Sequence, residues 1–288
     1  MAKKNRRSPR VWVQIGWAAL TNGYAAGFAG GKIWRGPTKA FCVPGLNCYS
    51  CPGALGSCPI GALQAVLGSA EYRMAFYVTG FLMIVGAALG RFVCGWLCPF
   101  GLIQDLIYKI PFPKKLKKLK GERFLRLLRY GILAGFVVIL PLFAVDILGQ
   151  GAPAFCKWIC PSGTLTAGIP LVLQNENLQA AAGWLFEWKP AILAVLLVLS
   201  VVVWRPFCRY LCPLGAIYGL FNKVSFYRYE VESDKCIRCG KCSAACDMAL
   251  EPWKQPNSAD CVRCGACKAA CPCGALHTAK LQKGEKKS

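Results

Sequence analysis

Four apolar stretches, at residues 11–31, 74–93, 125–148 and 184–204, set the limits on what this chain can fold into. Each is close to the ~20 residues an α-helix needs to cross a hydrocarbon core of ~30 Å. Trp184, Trp188 and Trp204 flank the fourth stretch as interfacial aromatics do. Pro141 is expected to kink the third near its far end. The first stretch closes on Ala25, Ala26 and Gly27 and so also reads as a cleavable signal. Its length favours an uncleaved span.

Charge is distributed to match. The chain is 55% apolar yet carries a formal net charge of +22 over 288 residues, with a mean hydropathy of +0.40. That combination is odd for a soluble domain and natural for spans in lipid with basic loops beside it. Residues 1–10 hold five Lys/Arg and no acid, residues 109–129 nine against one, and residues 205–288 fourteen against seven. The intervening segments, 32–73 and 149–189, hold four and two basic residues. The positive-inside rule therefore predicts a multi-pass protein of the cytoplasmic membrane, with both termini and the Lys-rich loop cytoplasmic. The run Lys114, Lys115, Lys117, Lys118 and Lys120 reads first as a topology signal resting on anionic lipid, and second as a docking patch for an acidic redox partner. Asp105, Asp146 and Glu187, near span ends, are candidates for quinone-proton chemistry or for a plain headgroup-facing role.

Nineteen cysteines demand a chemistry. Secreted disulfide scaffolds are short and lack membrane spans, which leaves metal ligation. A single histidine, His277, and the absence of a C-x-x-C-H motif exclude haem held by paired histidines or attached through thioethers. A Cys-Pro-x-Gly motif recurs at Cys58, Cys98, Cys160 and Cys212, and a further cysteine stands four residues before three of these, at Cys94, Cys156 and Cys208. The chain thus reads as two similar halves. Proline suits the first position of a helix, so each Cys-Pro cysteine is predicted at a helix N-terminus, where dipole and free N–H groups favour a thiolate and the negative cluster it binds. The bland alternative, cysteine as a small residue packed between helices, suits one such motif better than four at matched positions.

Sidedness groups the ligands. Cys94, Cys98, Cys208 and Cys212 fall at the cytoplasmic ends of the second and fourth stretches and form one predicted four-thiolate site. On the outer side lie Cys42, Cys48, Cys51, Cys58, Cys156 and Cys160. Pseudo-symmetry selects Cys51, Cys58, Cys156 and Cys160 as the outer cluster, with Cys48 and Cys42 as alternates. A second arrangement makes a site from Cys42, Cys48, Cys51 and Cys58 and leaves Cys156 and Cys160 as a disulfide.

The C-terminal region is more explicit. Cys236, Cys239, Cys242 and Cys246 follow C-x2-C-x2-C-x3-C, as do Cys261, Cys264, Cys267 and Cys271, and Pro272 completes the second run. This is the bacterial pattern for two 4Fe–4S clusters, in which the fourth cysteine of each run serves the other cluster. One cluster is therefore assigned Cys236, Cys239, Cys242 and Cys271, and the other Cys261, Cys264, Cys267 and Cys246. Asp247 stands where the first run would carry proline. Structural zinc also uses C-x2-C pairs, but two identical four-cysteine runs favour clusters. Cys273 is left over.

Together these motifs resemble the NapH/NosR-like polytopic membrane ferredoxins. The resemblance rests on four spans, C-x3-C-P pairs after the second and fourth (Cys94/Cys98 and Cys208/Cys212) and the C-terminal two-cluster module, and it covers nearly the whole chain. The cysteine-rich loop from Phe41 through Cys48, Cys51 and Cys58 is similar to a subgroup rather than to the nitrate-reductase subunit itself. The family couples quinol or ferredoxin oxidation to redox partners outside the cytoplasm.

The resulting expectation is a mainly α protein. Residues 1–228 form a four-helix transmembrane bundle of two pseudo-repeats, and residues 229–288 a bacterial-type ferredoxin domain with two 4Fe–4S clusters and a basic tail. Its function is transmembrane electron transfer through 4Fe–4S clusters between a cytoplasmic donor and an extracytoplasmic acceptor, with no substrate pocket of its own. Two alternatives are a quinol dehydrogenase subunit of a respiratory reductase, with quinone as a further cofactor, and an assembly or metal-reducing accessory for a respiratory oxidase. Partners are redox proteins on one or both sides and the lipid bilayer; nucleic acid is not expected.

Overall fold

A computed structural model of the chain describes residues 9–69, 73–144, 151–180 and 183–279. It is mainly helical, with one two-stranded sheet. Helix Glu122–Phe143 is long and apolar enough to cross a membrane, Phe76–Leu89 is a shorter apolar helix, and no other helix of the described residues meets both criteria. Helices Arg73–Leu89 and Trp184–Val202 occupy the second and fourth apolar stretches.

The first stretch is not one helix. Pro9–Thr21 and Ala25–Gly30 are separated by a break at residues 22–24. The cysteine-rich loop supplies the bonds a continuous helix would have made internally. Leu55 N–H donates to the Thr21 carbonyl (2.9 Å) and Tyr24 N–H to the Gly53 carbonyl (3.2 Å). The Asn47 amide adds a second bond to Thr21 (3.2 Å). With these groups paired, the break costs little.

The third stretch departs from a simple kink. Residues 133–139 run in π register before the helix resumes at Leu140–Phe143, and a second π segment, Thr164–Gly168, precedes helix Ile169–Gln174. Each π segment stops two residues before a proline, Pro141 and Pro170. Proline has no N–H to give and its ring crowds the carbonyl four residues back, so the helix widens on the N-terminal side of the ring. Residues 145–150, Asp146 among them, lie outside the described residues.

Four short helices begin at the Cys-Pro motifs: Pro59–Leu67, Pro99–Tyr108, Pro161–Gly163 and Pro213–Phe221. Pro59–Leu67 packs on Arg73–Leu89, Pro99–Tyr108 on Trp184–Val202 and Pro9–Thr21, and Pro213–Phe221 on Arg73–Leu89 and Glu122–Ile132. One connected core runs through them. It holds Cys42, Cys58, Cys94, Cys98, Cys160, Cys208 and Cys212 together with Met248 and Val262 of the C-terminal region.

The C-terminal region closes on itself through an antiparallel pair, Tyr229–Val231 with Leu276–Thr278, in which Glu230 faces His277. Its two cysteine runs take the same turn. Arg238 and Arg263 have φ near +50°, and each is followed two residues on by a left-handed glycine, Gly240 or Gly265, that starts a short helix. Glycine adopts that conformation without steric cost, which lets the loop wrap tightly.

Candidate iron–sulfur sites

The Cys-Pro motif does locally what its chemistry suggests. Cys58, Cys98, Cys160 and Cys212 are each the N-cap of their helix, with proline next. The helix N-terminus presents free N–H groups to the sulfur. Gly163 N–H donates to Cys160 Sγ and Gly215 N–H to Cys212 Sγ, both at 3.4 Å.

The structure brings Cys94, Cys98, Cys208 and Cys212 into one buried group in which every thiol lies within electrostatic range of the other three. Two arginines absent from the sequence reading tie its halves together. Arg91, three residues before Cys94, donates to the Cys208 carbonyl (2.8 Å). Arg205, three residues before Cys208, donates to the Cys94 carbonyl. Both are fully buried. A matched Arg-x-x-Cys spacing was the signal for this exchange. Asp105 is the bidentate partner of Arg205 (2.8 Å to Nε) and also pairs with Arg10, so its carboxylate is committed to structure rather than facing headgroups or quinone. Glu187 sits exposed in the first turn of Trp184–Val202.

A second all-against-all group is Cys48, Cys58, Cys156 and Cys160. This set holds Cys48, one of the two alternates, where pseudo-symmetry selects Cys51. Cys51 neighbours Cys48 and packs with Ala54 and Ala167, its thiol 3.8 Å from Asn22 Oδ1, and Cys48 packs against the same small cluster. The loop doubles back between these cysteines, since Cys51 N–H bonds the Cys48 carbonyl (3.0 Å), and the Cys48 thiol is the one in range of Cys58, Cys156 and Cys160. Cys42 is buried nearby with its N–H on Tyr77 Oη (3.1 Å).

Two glutamines bridge these groups in the same manner. Gln64 Nε2 lies 3.3 Å from Cys156 Sγ while its Oε1 accepts from Phe155 N–H (2.9 Å). Gln104 Nε2 lies 3.2 Å from Cys208 Sγ while its Oε1 accepts from Phe207 N–H (3.2 Å).

In the C-terminal region Cys246, Cys261, Cys264 and Cys267 form a third mutual group, which crosses between the two cysteine runs. Cys242 and Cys271 pack around Tyr229 and Leu276, Cys236 is half-buried and Cys239 exposed, and Cys273 Sγ is 3.7 Å from Cys271 Sγ.

This region is fastened to the helices. Trp96 Nε1 donates to the Arg263 carbonyl (3.0 Å), and the Asn222 amide to the carbonyls of Ser258 and Cys261 (2.8 Å each). Arg263 reaches back to the Leu89 carbonyl (2.8 Å). Asp260 is clamped by Arg126 and Arg129 (2.6 Å each) and Arg91 (3.7 Å). Burial would raise the Asp260 carboxyl, but these three guanidinium groups hold it below the usual carboxylate range. Lys117, from the Lys-rich run, donates to the Ala244 carbonyl.

The donor sets suit 4Fe–4S clusters. Among the described residues no three side chains close to the spacing of a single metal ion. Each group supplies the four thiols that one such cluster takes. Buried cationic N–H groups and helix N-termini around them offset the negative charge such a cluster carries. Arg91 Nε, buried without an oxygen or nitrogen partner, stands beside the Cys94 thiol.

Fold and sites together define a mainly helical iron–sulfur protein of the electron-transfer class. A 4Fe-4S binding domain family matches residues 74–120, 128–174 and 189–228, ranges that contain Cys94, Cys98, Cys156, Cys160, Cys208 and Cys212. An uncharacterized protein of Methanocaldococcus jannaschii is 31% identical over 59% of this chain and 64% of its own length. The methylamine utilization ferredoxin-type protein MauN of Methylorubrum extorquens is 31% identical over 66% and 55%. The ferredoxin-type protein NapH of Haemophilus influenzae is 27% identical over 65% and 61%. The chain thus spans less than two thirds of each of these three relatives. Over this span the chain is similar to ferredoxin-type proteins such as MauN and NapH. No solved structure matches it.

Proposed function

We propose that this protein conducts electrons across the cytoplasmic membrane through four 4Fe–4S clusters. In order from the cytoplasm, the ligands are Cys236, Cys239, Cys242 and Cys271; then Cys261, Cys264, Cys267 and Cys246; then Cys94, Cys98, Cys208 and Cys212; and last Cys48, Cys58, Cys156 and Cys160. Residues 1–228 form the four-span part and 229–288 the cytoplasmic module. A cytoplasmic donor loads the module and an extracytoplasmic acceptor unloads the outer cluster. The protein supplies binding, orientation and charge balance; the clusters supply one-electron chemistry.

Contiguity carries this reading. Val262 backs directly onto the inner group, since a Cβ on Gly95 would meet the Val262 carbonyl at 2.2 Å. On the far side, a Cβ on Gly45 would lie 3.2 Å from Cys98 Cα, so the loop bearing Cys48 rests on an inner ligand. Tyr218, fully buried, donates to the Pro44 carbonyl (3.1 Å) and fills the space between the inner thiols and Cys58. A route of packed side chains and covalent bonds divides the ~30 Å of bilayer into short steps.

Iron and sulfide quantitation on anaerobically purified protein is the first test. About sixteen iron atoms per chain support four 4Fe–4S centres, and about eight would confine them to the module and end the proposal. In proteoliposomes, dithionite outside inside-out vesicles should then reduce an impermeant acceptor sealed within. Reduction by menaquinol in place of a protein donor would favour the quinol dehydrogenase reading.

A further inference from the structure

The glutamine pair has a purpose that helix packing alone does not require. Gln64 and Gln104 each stand six residues after a Cys-Pro cysteine, on the first and second of the Cys-Pro helices. Both side chains are buried, at 0% and 1% exposure. Each reaches across to the other half of the chain and makes the same two contacts. Its carbonyl accepts the N–H of the phenylalanine before a cysteine, and its amide points at that cysteine's sulfur. The phenylalanine bond fixes the amide the right way round, because an oxygen is needed toward the N–H and a donor is left for sulfur.

We infer that Gln64 and Gln104 are positioning residues that raise the reduction potentials of the outer and inner clusters, by donating one hydrogen bond each to the Cys156 and Cys208 thiolates. This rests on the four-cluster reading given above. A hydrogen bond to a ligand sulfur withdraws negative charge, and the reduced cluster, carrying one more electron, gains most from that withdrawal. In a buried site the effect is not diluted by water. No proton moves: a cluster accepts one electron and the amide stays neutral. Since the two contacts are alike, they shift the two membrane clusters in the same direction. The pair therefore leaves the difference in potential between the two clusters unchanged, while both become easier to reduce from the module.

The test is an EPR-monitored redox titration of the full-length protein carrying Gln64→Met or Gln104→Met, with iron content measured on the same samples. The membrane-cluster signals are assigned by their loss in Cys160→Ala (outer) and Cys212→Ala (inner). Gln104→Met should lower the potential of the inner cluster only, and Gln64→Met that of the outer cluster only, with iron unchanged. Gln→Glu at either position keeps the acceptor for the phenylalanine N–H and, when ionised, removes the donor; it serves where the methionine variant loses iron and should shift the same cluster downward. Unchanged potentials with full iron would overturn the inference, as would a shift of all clusters together. Loss of iron in both variants would do so as well, reducing the glutamines to a structural role. An unsubstituted protein holding only about eight iron atoms would instead remove the membrane clusters themselves, which is the failure of the underlying reading.

Discussion

At the residue scale, Cys48 and Cys51 show how little separates a ligand from a bystander. They share a loop and stand three residues apart, and Cys51 is the more deeply buried, yet only Cys48 joins Cys58, Cys156 and Cys160. On the four-cluster proposal, Cys48→Ser should remove about a quarter of the iron, while Cys51→Ser leaves iron content unchanged. The reverse pattern would restore the pseudo-symmetric choice. Arg205 offers a second residue-level test. It is fully buried, pairs with Asp105 and holds the Cys94 carbonyl. Removing one partner of a buried ion pair typically costs about 3–5 kcal/mol, and Arg10 as a second partner to Asp105 puts the expectation near the lower end. Arg205→Met should lower the thermal midpoint and lose the inner cluster's EPR signal before those of the module.

At the scale of elements, the decisive contact is between helix Phe92–Trp96 and the second cysteine run. Gly95 lets the Val262 carbonyl approach to a distance no side chain would permit. Gly95→Leu should push the module off this helix. On the proposed route, slower reduction of the two clusters held by the helices, with module EPR signals intact, is the expected outcome; stopped-flow bleaching resolves the two phases. The apolar stretches were legible as helices because apolar content is a local property. Two of their details were not. The break at residues 22–24 is stabilised by Asn47, Gly53 and Leu55, whose bonds no reading of the first stretch could include. The π segment before Pro141 expresses a choice between bending and widening that neighbouring helices make.

At the scale of the whole molecule, the module and the helices behave as one packed unit. Their join is polar and convergent, with Arg91, Arg126 and Arg129 meeting on Asp260, and Arg126 sharing Glu122 with Arg209. Asp260→Asn would leave three cations around a neutral amide in a partly buried site, at a cost of about 3 kcal/mol. Hydrogen exchange should report it as lost protection across residues 257–264, and full protection there would show the clamp to be dispensable.

Cysteine spacing, the prolines beside the cysteines and the placement of basic charge are written along the chain, and they determined by themselves the iron–sulfur class, the N-cap position of four thiols and the two C-terminal runs. These depend on neighbours a few residues apart, which sequence order preserves. What joins the halves is of another kind. Gln64 to Cys156 and Gln104 to Cys208 span 92 and 104 positions, and the Arg91 and Arg205 exchange and the placing of Cys48 beside Cys58, Cys156 and Cys160 depend on the same convergence. Only the tertiary structure decided those, because a hydrogen bond or a shared cluster is fixed by distance in space, and folding brings together residues that sequence order keeps far apart.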